Sequence, residues 1–171
     1  MAERTNLITF IGDPLTLVGN EVKVGDKAPD FTAMAIDMTE VKLSSYRGKT
    51  VILSAVPSLD TPVCDKETLR FNEEAGKLGD DVAMLTISVD LPFAQGRWCT
   101  DNEVKNVVTI SDYLNHAFGE AYGILIKELK LLARCIFIID GEGVIRYIQL
   151  VREVASEPDY DDVLSALKNI R

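Results

Sequence analysis

The sequence predicts an α/β fold built on a mixed β-sheet, and two observations support this. Short apolar segments with strand character alternate along the chain with segments of helical periodicity, which is typical of a layered α/β protein. The last two strand-like segments are separated only by Asp140-Gly141-Glu142-Gly143, whose turn chemistry joins antiparallel neighbours. With 171 residues, 47% of them hydrophobic, the chain is long enough for one well-packed core and short for two. We therefore expect a single domain over residues 1–171.

The predicted strands begin at the amino end of the chain. Residues 7–11 and 15–18 flank the turn sequence Gly12-Asp13-Pro14, which predicts an N-terminal β-hairpin. A loop follows through residues 25–29, where glycine and proline interrupt any regular pattern. Further apolar runs predict strands at residues 51–56, 82–89, 107–110, 133–139 and 144–151.

Helical patterns lie between several of these strands. One follows Thr61 and ends near Leu78, and a shorter one begins at Pro92. Beyond Pro158, apolar residues recur at helical spacing, and aspartates occupy the first turn, where the helix dipole favours negative charge. This predicts a terminal amphipathic helix. The resulting order of strand, helix, strand, helix, strand, hairpin and helix resembles the thioredoxin fold with an added N-terminal hairpin.

Charge and composition exclude several classes of function. The net charge of −9 and the pI near 4.6 argue against binding to nucleic acid or to an anionic membrane, because both need a basic patch. The chain shows no signal segment and no apolar stretch of membrane-spanning length, so we expect no membrane association. Three cysteines, an odd number without a Cys-x-x-Cys pair, indicate a reducing, cytoplasmic location.

The sequence predicts neither a metal nor a nucleotide cofactor. His116 is the only histidine, and its spacing from the three cysteines lacks the close ligand pairs of zinc sites. No glycine-rich phosphate loop follows any strand, since Gly141-x-Gly143 belongs to a hairpin turn. A serine hydrolase is also disfavoured, because no Gly-x-Ser-x-Gly motif occurs.

A cysteine follows the apolar strand at residues 51–56 and lies at the start of the next helix. Thr61 has the chemistry of an N-cap, and Pro62 suits the first helical position, where its missing N–H costs nothing. Cys64 is then the third residue of the helix. Unpaired backbone N–H groups and the positive dipole end favour a thiolate there. The pattern predicts a reactive thiol.

Arg134 is the candidate for a buried cation beside this thiol. Three carboxylates within four residues of Cys64 would disfavour a thiolate, so a nearby cation must offset them. They belong to Asp60, Asp65 and Glu67. Arg134 opens an apolar strand, where an unpaired guanidinium would be costly. The residues alone leave two interpretations open, a catalytic role or a structural ion pair with one of these carboxylates.

Four motifs in order resemble those of one enzyme family. Pro57-x-x-x-Thr61-x-x-Cys64 is similar to the active-site motif of peroxiredoxins, and its longer form resembles that of the thiol peroxidase subfamily of atypical two-cysteine peroxiredoxins. The other matches are residues 90–95 followed by Arg97-Trp98-Cys99, Leu132-Ala133-Arg134, and residues 156–160. The similarity runs from the 12–14 turn to the end of the chain. Pro62, where glycine is usual, and Cys135, where an apolar residue is common, depart from the pattern.

The resemblance implies a peroxidase that reduces hydrogen peroxide and organic hydroperoxides to water and alcohols. It implies that Cys64 is the peroxidatic cysteine, which forms a sulfenic acid, and that Cys99 resolves it into an intramolecular disulfide. Transition-state stabilisation falls to Arg134, to the Thr61 hydroxyl and to the backbone N–H of Cys64, with Pro57 completing the motif. The resemblance also implies thioredoxin as the reductant and a homodimer.

Simpler interpretations of some of these residues stay open at this point. On the residues alone, Thr61 fits a helix cap better than a substrate contact, and Cys99 beside Trp98 fits a buried core thiol. Cys135 lies in a strand that is apolar on both faces, so we predict that it packs as a small hydrophobe without a redox role. A redox sensor, in which the same cysteine chemistry changes a partner surface, is the alternative to an enzyme.

Overall fold

The structure, a computed structural model, describes residues 1–170. The strands of this part of the chain are β1 (Glu3–Phe10), β2 (Asp13–Val18), β3 (Thr32–Ala35), β4 (Glu40–Lys42), β5 (Thr50–Ala55), β6 (Val82–Ser88), β7 (Val108–Ser111), β8 (Leu125–Ile126), β9 (Cys135–Ile139) and β10 (Ile145–Leu150). The α-helices are α1 (Pro62–Ala75), α2 (Pro92–Asp101), α3 (Ala117–Ala121) and α4 (Tyr160–Ile170), and a 3₁₀ helix spans Leu43–Tyr46.

Seven strands form a mixed sheet in the order β10-β9-β5-β6-β7-β3-β4, which confirms the predicted sheet. Strands β5, β6 and β7 are parallel, and the other pairings are antiparallel. Helices α1 and α2 therefore serve as the crossover connections that parallel strands require. Because the carboxyl ends of β5 and β6 lie at the same sheet edge, the segments that follow them meet there. These segments contain Cys64 and Asp90.

The predicted N-terminal hairpin is confirmed by the antiparallel pair β1 and β2. Its turn places Gly12 in the left-handed region, with a φ of 84°, which glycine adopts without strain. Strand β2 also pairs with β8, so the hairpin belongs to a second, three-stranded sheet. Backbone hydrogen bonds from Thr9 to Arg152 and from Val154 to Thr9 join this sheet to the segment before α4.

The two faces of the large sheet bury separate apolar clusters, because side chains alternate along each strand. On one face Ile52 and Ile136 pack with α1 and α4. On the other face Leu53 and Phe137 pack with the hairpin and with α3. Cys135 belongs to this second cluster and is 1% exposed, so it lies on the opposite face from α1.

Several elements depart from the prediction. The sequence did not predict strands β3, β4 and β8. Each spans only two to four residues, too few for a recognisable alternation. Helix α1 ends at Ala75, earlier than the predicted end near Leu78, because Gly76 begins a turn. Within residues 1–170, no helix is both long and apolar enough to cross a membrane.

Candidate active site

Cys64 lies at the third position of α1, where the sequence placed it. The helix starts at Pro62, and Thr61 has the extended backbone of an N-cap, with φ −134° and ψ 148°. The thiol side chain is 1% exposed and packs with Val56 and Leu59, and the half-buried ring of Trp98 covers this cluster. The cysteine is therefore shielded from bulk water while it remains within the first turn of the helix.

Thr61 occupies the N-cap position, but its side chain does not cap the helix. The Oγ1 atom donates to the Ser58 carbonyl at 2.8 Å, and it forms no cap bond within residues 1–170. The expectation of a hydroxyl cap was wrong because the hydroxyl closes a tight loop turn instead, a common competing use of threonine. Its lone pairs can still accept a hydrogen bond. A cleft of about 330 Å³ beside Thr61 is bounded by Pro62 and Trp98.

Arg134 joins the thiol to a buried carboxylate. Its Nη2 atom lies 3.3 Å from the Cys64 sulfur, and its Nη1 donates to Glu67 at 2.5 Å. Its Nε and Nη2 atoms both donate to the Val154 carbonyl, at 3.2 and 2.9 Å. The structural ion pair that the sequence left open is therefore present, and the same guanidinium also contacts the sulfur. The catalytic role of Arg134 stays a prediction. Glu67 also accepts a hydrogen bond from Ser54 at 2.9 Å.

Burial and charge have opposite effects on the pKa values of Arg134 and Glu67. Burial alone would lower the pKa of Arg134, but its electrostatic and hydrogen-bond interactions with Glu67 and the Cys64 sulfur outweigh burial and raise that pKa. Burial raises the pKa of Glu67, and the attraction of Arg134 with the hydrogen bond from Ser54 limits the rise. The guanidinium is therefore held charged, with its donors fixed against the sulfur in a site from which water is largely excluded.

Asp90 holds the loop that precedes Cys64, a role that the sequence did not reveal. Its carboxylate accepts hydrogen bonds from the Ser58 hydroxyl at 2.6 Å and the Leu59 N–H at 2.8 Å. It also accepts one from Ser88 at 2.7 Å, at the end of β6. In the sequence, Asp90 is the first residue of the motif at residues 90–95. The available signal was its place directly after a parallel strand, where polar side chains reach the edge of the site.

Cys99 lies in α2 among different neighbours. Its sulfur is 3.2 Å from the Thr109 hydroxyl, on β7, and the side chain borders a surface cleft with Ile36 and Val104. Burial raises the pKa of the Cys99 thiol, and the hydrogen bond with Thr109 opposes the rise. All three cysteines are free. The structure thus brings Arg134 to Cys64 but leaves the Cys99 sulfur in a separate environment.

Cys135, His116 and Pro57 are the remaining candidates. Burial strongly raises the pKa of the Cys135 thiol, which favours its neutral form in the core. His116 precedes α3 with a left-handed φ of 51°. Pro57 is buried in the loop after β5. Across residues 1–170, no three histidine, cysteine or acidic side chains come together as a group that could hold a metal ion.

These features define a class of protein before any comparison is made. A thiol in the first turn of a helix, after a parallel strand and in contact with a buried guanidinium, is the arrangement expected of a peroxiredoxin-type thiol enzyme.

Comparisons with known proteins agree with this class. The Redoxin family model matches residues 23–164. The thiol peroxidase of Bacillus subtilis (strain 168) is 53% identical over 161 residues, which cover 94% of this chain and 96% of that protein. A thiol peroxidase of Listeria innocua is 50% identical, covering 94% of this chain and 97% of that protein. The chain belongs to the Redoxin family and groups within it with the thiol peroxidases, which are peroxiredoxin-type oxidoreductases.

Solved structures give the same result for the fold. The crystal structure of a peroxiredoxin-like protein from Aquifex aeolicus matches with a TM-score of 0.91 and 41% identity, covering 98% of both chains. The thiol peroxidase from Chromobacterium violaceum matches with a TM-score of 0.84 over 95% of both chains. Its identity is 19%, so this likeness concerns the fold alone. The thioredoxin-like fold predicted from the order of elements is confirmed.

Proposed function

We propose that this protein reduces hydrogen peroxide and organic hydroperoxides through Cys64 and Cys99, with thioredoxin as the electron donor. The contact between Arg134 and the Cys64 sulfur is the observation that carries this proposal. A buried cation beside a helix-start thiol both favours the thiolate and supplies donors to oxygens that gain charge during the reaction.

In the first step the Cys64 thiolate attacks the terminal oxygen of the hydroperoxide. A sulfur–oxygen bond forms as the oxygen–oxygen bond breaks, which gives a sulfenic acid and an alkoxide or hydroxide that takes a proton from solvent. Negative charge moves from sulfur to the leaving oxygen. Donors from Arg134 and the backbone N–H of Cys64 stabilise that charge more in the transition state than in the free thiolate.

The surroundings of Arg134 support this role because they fix the donor geometry in advance. Glu67 and the Val154 carbonyl hold the guanidinium on two sides, and the side chain is 1% exposed. A donor that is already in place needs no reorganisation during the reaction. The hydroxyl of Thr61, a residue that lines the cleft bounded by Pro62 and Trp98, is proposed as a further contact to the peroxide. Pro57 is proposed to shape the loop between β5 and α1.

In the second step Cys99 condenses with the sulfenic acid. The Cys99 sulfur replaces the hydroxyl group on Cys64, so a disulfide forms and water leaves. A thioredoxin dithiol then reduces the disulfide by thiol exchange and becomes oxidised itself. Since the Cys99 sulfur contacts Thr109 and no disulfide joins it to Cys64, this step is proposed to require movement of the segments that contain the two cysteines.

Family resemblance also leads us to propose that the protein acts in the cytoplasm as a homodimer. The exposed apolar side chains of Leu91 and Phe93, beside the Asp90 loop, are compatible with a surface that a second copy covers. Sedimentation velocity at micromolar concentration tests the assembly state. A single monomeric species would contradict the homodimer without affecting the proposed chemistry.

The proposed reaction is tested by coupling peroxide consumption to NADPH oxidation through thioredoxin and thioredoxin reductase. Cys64→Ser should abolish turnover, Cys135→Ser should retain it, and Cys99→Ser should consume about one equivalent of peroxide and then stall. Mass mapping of the peroxide-treated protein should find Cys64 joined to Cys99. A single stoichiometric oxidation of the wild type, without turnover in excess reductant, would instead favour a redox sensor.

A further inference from the structure

A hydrogen bond joins the two segments that contain the reacting cysteines. The indole Nε1 of Trp98 donates to Oδ1 of Asp65 at 2.8 Å. Asp65 directly follows Cys64 in α1, and Trp98 directly precedes Cys99 in α2. We propose that this Asp65–Trp98 hydrogen bond sets the rate of disulfide formation, so that Asp65 and Trp98 are positioning residues for the resolving step. The inference rests on the proposed two-cysteine reaction.

The bond links two helices that otherwise rest on different strands. Helix α1 packs against β6, and α2 packs against β7. The Trp98 ring also packs on the Val56, Leu59 and Cys64 cluster, so the hydrogen bond holds the ring over the buried thiol. The carbonyl of Trp98 in turn accepts hydrogen bonds from the backbone and side chain of Asn102 at the end of α2. The closed arrangement is therefore anchored on both sides of Trp98.

Closure of this bond and formation of the disulfide exclude each other. Adjacent residues on a helix point about 100° apart, since 3.6 residues make one turn. With Trp98 directed at Asp65, the Cys99 side chain faces Thr109 instead. A disulfide requires the two sulfurs to come within about 2.05 Å. Turning or unwinding α2 to bring the Cys99 sulfur to Cys64 withdraws the indole from Asp65.

The lifetime of the closed state then decides the fate of the sulfenic acid. While the bond holds, a second hydroperoxide can oxidise the Cys64 sulfenic acid to a sulfinic acid, releasing water or an alcohol. Once it opens, Cys99 can form the disulfide. One typical intramolecular hydrogen bond corresponds to roughly a fivefold to tenfold change in an opening equilibrium. The ratio of disulfide to sulfinic acid formed at Cys64 should change by the same factor.

Three single variants and one double variant separate the hydrogen bond from its side effects. Trp98→Phe keeps an aromatic ring but removes the donor, and Asp65→Ala removes the acceptor. Asp65→Asn retains an acceptor oxygen but removes the negative charge beside Cys64. The double variant Asp65→Ala/Trp98→Phe measures coupling. Asp101→Asn, an exposed substitution on the same helix, is the matched control.

Rapid mixing with peroxide, followed by acid quench, alkylation and intact mass, gives the rates of sulfenic acid and disulfide formation separately. We expect Trp98→Phe and Asp65→Ala each to speed disulfide formation about fivefold to tenfold, with no further gain in the double variant. Asp65→Asn and Asp101→Asn should stay within about twofold of the wild type. In Trp98→Phe and Asp65→Ala, the peroxide concentration that gives half-maximal sulfinic acid should rise by the same fivefold to tenfold factor.

Particular outcomes would overturn the inference. Unchanged disulfide rates in Trp98→Phe and Asp65→Ala, or additive effects in the double variant, would show that the bond does not limit resolution. An Asp65→Asn rate equal to that of Asp65→Ala would assign the effect to charge beside Cys64. Wild-type protein that forms no Cys64–Cys99 disulfide would overturn the proposed function as well. If the Cys64–Cys99 disulfide forms normally but its rate of formation is the same in all variants, only the role of the Asp65–Trp98 hydrogen bond is excluded.

Discussion

Arg134 shows how much of this site depends on the shape of one side chain. A guanidinium presents donors in a fixed planar fork, and here they are divided between the Cys64 sulfur, Glu67 and the Val154 carbonyl. An ammonium group has the same charge on a single nitrogen and cannot reach all three partners in this geometry.

Arg134→Lys should therefore lose most of the activity although it keeps the charge. We expect kcat/KM for hydrogen peroxide to fall by about 100-fold, the usual effect of losing a donor to a developing oxyanion. Steady-state assays with thioredoxin measure this, and Arg152→Lys, at an exposed position on the adjoining segment, serves as the control. Near-wild-type kcat/KM in Arg134→Lys would show that bulk positive charge suffices.

Cys135 leads to a prediction about stability rather than turnover. Burial raises the pKa of its thiol, so the folded state keeps the proton when the unfolded state loses it. The contribution of this protonated thiol to the free energy of unfolding is fully present below the thiol pKa of the unfolded state, about 8.5. It falls by up to about 1.4 kcal/mol per pH unit as the pH rises from there toward the thiol pKa of the folded state. Under reducing conditions, urea denaturation between about pH 8 and 10 should give a steeper decline for the wild type than for Cys135→Ala. Parallel declines would mean that Cys135 ionises in the folded protein.

At the scale of elements, the reaction concerns the first turn of α1 and the helix α2. Cys64 begins one helix, and Cys99 lies near the end of the other, so we expect their Cα atoms to lie beyond the roughly 7 Å that a disulfide tolerates. A cross-link over a loop of this length stabilises the oxidised state by about 4 kcal/mol in the chain-entropy model. That is enough to offset melting of a turn or two, but not of the core.

Trp98, the sole tryptophan, should report this local unfolding. Its fluorescence should change slowly after peroxide is added and return with dithiothreitol, because its hydrogen bond to Asp65 and its packing over Cys64 are lost. Stopped-flow fluorescence measures the change. Cys99→Ala should remove most of the slow phase while Cys64 still oxidises. An unchanged tryptophan signal together with unchanged amide exchange would contradict the mechanism.

Pro62 should slow the same motion. It lies at the first position of α1, where its ring fixes φ and reduces the freedom gained when this turn melts. Pro62→Gly should therefore speed disulfide formation by a few-fold, because glycine gains more entropy on local unfolding. Quenched-flow mass analysis gives the rate, and Pro14→Gly, in the exposed part of the hairpin, controls for a general loss of rigidity. A slower or equal rate in Pro62→Gly would exclude this effect.

At the scale of the whole molecule, the N-terminal hairpin supports the segment that positions Arg134. The Glu153 carboxylate accepts hydrogen bonds from the Thr9 hydroxyl and from the backbone of Ile11 and Gly12 in the hairpin. The next residue, Val154, supplies the carbonyl that holds Arg134. A hairpin distant in sequence from Cys64 therefore helps to position the Val154 carbonyl that holds Arg134.

Glu153 makes this connection dependent on pH. The hydrogen bonds from the Ala155 backbone, from Thr9 and from the hairpin backbone lower the pKa of Glu153 to about 2. Because the folded pKa is depressed, the stabilisation is present above the unfolded value of about 4.3 and is lost as pH falls toward about 2. Glu153→Gln should lower the Tm at pH 7, and its difference from the wild type should shrink across that window. Calorimetry measures this, with the exposed Glu142→Gln as control. A Tm difference that does not depend on pH would exclude the role of the carboxylate.

The sequence by itself determined the features that depend on neighbouring residues. Pro62 and Thr61 mark the start of α1 through local backbone preferences, so the position of Cys64 in the first turn follows from a few adjacent residues. Apolar alternation and turn chemistry in the same way located the longer strands and the hairpin. The four-residue β3 was missed because it is too short to show a period.

Only the tertiary structure decided which distant side chains meet. Arg134 reaches Glu67 across 67 positions and Trp98 reaches Asp65 across 33, and neither pairing leaves a periodic signal in the chain. The sequence offered three carboxylates as partners for Arg134. Glu67 was selected because, three residues after Cys64 on α1, it lies on the buried side of the helix, while Asp65 faces Trp98. Such choices depend on how helices and strands pack, because a contact between remote segments exists only after the chain has folded around it.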